Sequence, residues 1–108
     1  MNLQKSPRFE SKKLLDAARG LHCQNCGADD GTTVAAHANW HEYGKGRGLK
    51  CHDFFTAHLC FRCHTWLDSG SAVDPTGVYA STDKREMWES AHRKTLVCLF
   101  DRGFLKVA

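Results

Sequence analysis

Leu59-Cys60-Phe61-Arg62-Cys63-His64 sets two thiols three positions apart and a histidine directly behind the second. The same spacing occurs upstream in Cys23-Gln24-Asn25-Cys26, followed by Gly27. A two-residue gap lets both sulfurs of a pair reach one ion, and two pairs complete a tetrahedron. The 33 residues between the pairs leave room for a hairpin and a loop. The pattern predicts a structural Zn²⁺ held by Cys23, Cys26, Cys60 and Cys63. Two other uses of such cysteines exist. A redox-active C-x-x-C calls for a βαβ context, which this chain lacks. Cys60 to His64 also has the form of a haem-attachment motif, which calls for export and leaves the upstream pair unexplained.

The bulk properties favour the metal. A chain of 108 residues fits a single domain, residues 1–108, and a domain so short gains from a staple. No apolar stretch of signal-peptide length follows Met1, and no run of about 18 apolar residues occurs, so neither secretion nor a membrane span is expected. In a reducing cytoplasm, paired cysteines are better metal ligands than disulfide partners. The formal net charge is +3, which four zinc-bound thiolates would bring to roughly +1. Attraction to a polyanion would therefore come from a local patch. Cys51 and Cys98 are expected to stay unpaired, Cys98 as a core residue.

Outward from the two knuckles, Ser11 to Arg19 reads as a short helix closed by Gly20, and Thr33-Val34-Ala35-Ala36-His37 as a strand ending on a histidine. Asp53 to Leu59 is apolar enough for a helical turn or a strand, and its pattern does not choose between them. The second knuckle opens a helix to about Asp68, stopped by Ser69-Gly70. Asp83-Lys84-Arg85-Glu86 has the form of a capping box, and a helix over about 83–101 follows, with Met87, Trp88, Ala91, Thr95, Cys98 and Leu99 on one stripe. That stripe suits a core or a homodimer. The expected class is α+β, a core motif over 21–70 with flanking helices.

His64 and Asp68 are four residues apart, so they share a helix face. With the knuckles clamped to one ion, the strand carrying His37 and the helix carrying His64 are drawn together. His22, His52, His58 and His92 are read as surface or satisfied core residues, and His41 as a weaker candidate.

C-x-x-C, a strand with a histidine, and Leu-Cys-x-x-Cys-His opening a helix resemble the cysteine-stapled branch of the HNH, or ββα-metal, nucleases, a treble-clef-like fold. Residues 23–70 are more closely similar to phage- and prophage-encoded YbcO-like nucleases, through Ala36-His37, Gly44 to Lys50, Asp53, Leu59 to His64 and Leu67-Asp68. The resemblance implies a metal-dependent endonuclease acting on nucleic acid, DNA foremost, in a bacterial cytoplasm. It implies His37 as general base and His64 as ligand of a catalytic Mg²⁺, Mn²⁺ or other divalent ion. Asn39 would orient the base or the phosphate, and Asp53 or Asp68 would complete the ion site or hold His64 in its tautomer. The chain departs from the family at Ala36, where an acidic residue or histidine is usual, and in lacking an obvious middle asparagine. The alternative is a zinc-finger-like module that binds nucleic acid or protein without cutting.

Gly44-Lys45-Gly46-Arg47-Gly48-Leu49-Lys50 alternates glycine with cations. Its amides can approach phosphate oxygens closely, so Lys45, Arg47 and Lys50 are the expected nucleic-acid contacts. The Walker A spacing is absent. Trp40, Tyr43 and Arg62 are candidate stacking surface, and Trp66 is expected in the core.

Overall fold

The computed structural model describes residues 10–40, 42, 52–68 and 84–105. Helix α1 spans Lys12–Asp16, strand β1 Val34–His37, strand β2 Thr56–Leu59, helix α2 Phe61–Asp68 and helix α3 Lys84–Asp101. The class is α+β, as the alternation of strand and helix patterns implies.

α1 starts where Ser11, in extended backbone, lets its Oγ accept from the Leu14 amide at 3.2 Å. This satisfies one of the otherwise orphaned first-turn donors. The helix ends at Asp16, short of the expected Arg19, and gives way to tighter turns such as Arg19 N–H to Asp16 O at 3.1 Å. The chain then turns at Gly20 with φ 78°, a left-handed conformation that suits a residue without Cβ. The first knuckle follows. Cys23 N–H donates to Ala28 O at 2.8 Å and Gly27 N–H to Cys23 O at 3.0 Å, folding the loop back on itself.

β1 and β2 pair antiparallel, with His37 opposite Thr56, Ala36 opposite Ala57 and Val34 opposite Leu59. The ambiguous Asp53–Leu59 segment thus resolves into a turn followed by a strand. The physical reason is non-local: the pairing extends to Ala38 N–H and Phe55 O at 3.1 Å, and α3 covers the far side of β2. A two-stranded sheet is marginal alone. Here His58 N–H on β2 donates to Thr95 Oγ1 at 2.9 Å, His92 Nδ1 donates to Thr56 O at 2.7 Å, and Gln24 N–H donates to His58 O at 2.8 Å. The polar groups on the outer edge of β2 are therefore taken by α3 and the first knuckle, removing an exposed edge.

α2 begins directly at the second knuckle. Its first amide, Phe61 N–H, donates to Thr32 Oγ1 at 2.8 Å, and that hydroxyl donates to Asp30 Oδ1 at 2.6 Å. A turn beyond the first knuckle thus caps the helix of the second.

The main core gathers Ala36, Ala38, Ala57, Leu59, Trp66, Leu67, Met87, Trp88 and Ala91 around Cys23, Cys60 and Cys63. Trp88 is fully buried, stacks on His92 at 4.7 Å and donates from Nε1 to Ala36 O at 3.0 Å. A smaller cluster joins Leu14 and Ala17 of the N-terminal segment to Leu99, with Phe104 and Leu105 against it.

The expected α3 stripe is buried except at Cys98, which is half-buried rather than a core residue. His92 takes an interior place in its stead. The Asp83 end of the expected capping box, the Ser69-Gly70 stop, Cys51 and the Gly44–Lys50 loop lie outside the described residues.

Candidate metal centre and histidine site

One sulfur from each of Cys23, Cys26, Cys60 and Cys63 lies within 4.8 Å of the other three. The backbone amides of Asn25 and Cys26 donate to Cys23 Sγ at 3.3 and 3.4 Å, and Asn25 Nδ2 donates to Cys63 Sγ at 3.3 Å. Donors converging on sulfur favour thiolate over thiol. The Cys23 thiol is drawn down to about 4 by its hydrogen bond with Cys63 and by these amides, against the opposing effect of burial. Cys63 is driven upward by the same shared proton and by burial, and Cys26 is raised chiefly by burial. Three of the four sulfurs belong to buried residues, with Cys26 exposed. Buried thiolates in an apolar core need a counter-charge. This donor set fits a tetrahedral Zn²⁺, so the four cysteines are a candidate metal centre of the kind their spacing implies. Nothing in its residue type marks Asn25 in the sequence; its role depends on an amide reaching a sulfur 38 positions away.

Beside this centre the sheet presents a second set of side chains. Alternation along β1 and its extension sends Ala36 and Ala38 into the core and puts His37 and Asn39 on the other side. His37 Nε2 lies 2.8 Å from Asp53 Oδ1. The second oxygen of that carboxylate, Oδ2, accepts from the Ser11 amide at 2.7 Å. Asp53 sits in the turn before β2 and is only 2% exposed, whereas the His37 side chain is 25% exposed.

On α2, His64 Nε2 lies 3.2 Å from Asp68 Oδ2. Asp68 Oδ1 accepts from Asn39 Nδ2 at 3.1 Å. Asp68 therefore links the helix histidine to the residue two places beyond His37. Of the two acidic candidates, Asp68 is the one at His64, and Asp53 is the one at His37. Ala36, the departure from the family pattern, is fully buried in the core. A carboxylate there would be desolvated against Trp88 and Leu59. Among the described residues, the four cysteines form the one group of three or more metal-type donors gathered together.

The remaining candidates separate by environment. Trp66 is buried as expected. Trp40 meets Trp88 edge-on at 5.7 Å and carries Arg85 over its ring at 5.3 Å. Arg62 is exposed beside Phe61, which is 66% exposed. Only the neighbouring cations and knuckle hint at Phe61 in the sequence. Lys45, Arg47, Lys50, His41 and Tyr43 lie outside the described residues.

His58 corrects the reading of the minor histidines as satisfied or exposed: it is fully buried, and neither ring nitrogen has a hydrogen-bond partner among the described residues. Burial, with the nearby charges of Arg102 and His22, drives its imidazole down to about 4.

No family model, no curated protein and no solved structure matches this chain. No helix among the described residues is long and apolar enough to cross a membrane.

Proposed function

We propose that the chain is a zinc-stapled nuclease of the HNH type, hydrolysing phosphodiester bonds in nucleic acid, with DNA as the first substrate to test. The observation that carries this reading is the Asp68 bridge, with His64 at 3.2 Å on one oxygen and Asn39 at 3.1 Å on the other. It joins the end of the histidine-bearing strand to the helix that the second knuckle opens. The order of two antiparallel strands and then a helix, beside a tetrathiolate, supports the same reading.

His37 acts as the general base. An imidazole is suited to take a proton near neutral pH. Its ring accepts a proton from water as the water oxygen bonds to phosphorus, the P–O bond to the leaving sugar oxygen breaks, and that oxygen takes up a proton from solvent. Asn39, tethered by Asp68, orients the phosphate. His64 and Asp68 are the described residues that would hold a catalytic divalent ion. When bound, such an ion neutralises charge developing on the phosphate and leaving oxygen. The glycine-rich basic segment at 44–50 supplies backbone amides and cations for the phosphate backbone.

Supercoiled DNA incubated with the zinc-loaded protein and Mg²⁺, Mn²⁺ or Ni²⁺ should be nicked. His37→Ala should reduce nicking by about 10²-fold or more. A mutant that cuts at the wild-type rate rejects the base assignment. DNA retention without any cutting by wild type would favour a non-catalytic binding module.

A further inference from the structure

We propose that Asp53 is the positioning residue for His37, fixing its ring as the Nε2–H tautomer so that Nδ1 is the basic nitrogen. The inference rests on His37 being the base, and it adds a residue and a defined atom to that role.

The geometry leaves little freedom. An ionised carboxylate offers only lone pairs, and a backbone amide offers only a hydrogen. Asp53 Oδ2 is occupied by the Ser11 amide at 2.7 Å, and Oδ1 faces His37 Nε2 at 2.8 Å. Nε2 must then carry the hydrogen, and the lone pair falls to Nδ1. Burial of Asp53 at 2% exposure strengthens both bonds and makes losing either one costly. The Ser11 amide holds the carboxylate from the far side. Because Ser11 is also the cap of α1, the orientation of the ring is tied to the N-terminal helix, 42 residues away from Asp53 in sequence.

This arrangement predicts an unusual outcome for a near-isosteric change. In Asp53→Asn, the amide oxygen must face Ser11 N–H, since an NH₂ group there would set donor against donor. The NH₂ group is then turned toward His37 Nε2, which can accept from it only as a lone pair. The ring is driven into the Nδ1–H tautomer, and Nδ1 no longer offers a lone pair. The packing of the site hardly changes, while the proton sits on the wrong atom.

Imidazole ¹⁵N–¹H correlation spectra of the full, zinc-loaded chain test this without reference to catalysis. Wild-type His37 should show a protonated Nε2 and an unprotonated Nδ1, and Asp53→Asn should reverse the two. Wild-type His37 found as the Nδ1–H tautomer overturns the inference, and so does an unchanged tautomer in the Asp53→Asn variant. If that variant fails to fold, the wild-type spectrum alone decides. In nicking assays Asp53→Asn should lower kcat by about 10²- to 10⁴-fold with KM nearly unchanged. A raised KM with kcat intact would mark a merely structural role and overturn the assignment. Absence of nicking by wild type would count against the nuclease reading, while the spectra would still judge the Asp53–His37 pair.

Discussion

The two hydrophobic clusters of this small domain are held by different means. The larger one, around Trp88, closes over three of the four cysteines, so its packing and the candidate metal centre are one unit. The smaller one, Leu14, Ala17 and Leu99, joins the N-terminal segment to the last turns of α3 through side chains and the Arg102 Nη1 bond to Ala17 O at 3.0 Å. Between them runs the sheet, with Asp53 receiving Ser11 from the α1 side and holding His37. The difference teaches that one half of the molecule is built around a candidate metal centre, while the other half is tied to the His37 ring through Asp53. Removing an ion held by the four cysteines should cost the fold, whereas losing the Ser11 amide's hold on Asp53 should first cost the geometry of a single ring.

The largest effect should come from Cys63→Ser. Binding of structural zinc is linked to folding by about 10–16 kcal/mol in small metal-dependent domains, and losing a buried fourth sulfur forfeits much of it. The variant should lack near-ultraviolet dichroism and a cooperative melt, and strong chelators should do the same to wild type. A variant that melts like wild type would break the comparison, because the Trp88 cluster would then stand without its ion.

A smaller effect should separate the clusters by pH. His58 lies on the sheet face opposite Ala57 and Leu59, buried, its ring nitrogens without a partner among the described residues. Its imidazole is held near 4, below the ordinary value of about 6.5. The unfolded chain therefore binds the extra proton first, and stability falls as pH drops from about 6.5 towards 4. The loss attached to this one group is about 3 kcal/mol at the acid end. Urea melts of zinc-loaded His58→Leu should show a shallower loss over that window than wild type. Identical slopes would show that His58 is not the group taking up the proton.

The smallest effect belongs to the cap of α1. Ser11→Ala removes the Oγ that receives Leu14 N–H and should cost about 1 kcal/mol. The α1 amides should then exchange hydrogen about fivefold faster. The Ser11 amide that reaches Asp53 survives the substitution, so the His37 tautomer should not change. A change in zinc affinity instead would show that the two halves are coupled more tightly than their contacts imply.

The sequence by itself determined the gathering of the four cysteines and most of the helices. Four cysteines at two short spacings carry the same implication wherever the chain takes them, because each pair is a local chelate. Ser11 and the Met87–Leu99 stripe announce a helix start and a helix face through nearest neighbours alone, whereas the end of α1 at Asp16, ahead of Gly20, was not announced. The nature of Asp53–Leu59 was not legible, since an apolar run of seven suits either element until a partner strand and α3 arrive. Tertiary structure alone decided which carboxylate serves which histidine. Asp53 meets His37 across 16 positions and Asp68 meets Asn39 across 29. No local periodicity encodes such pairings; they arise because the paired strands and the second knuckle bring distant turns within hydrogen-bond reach.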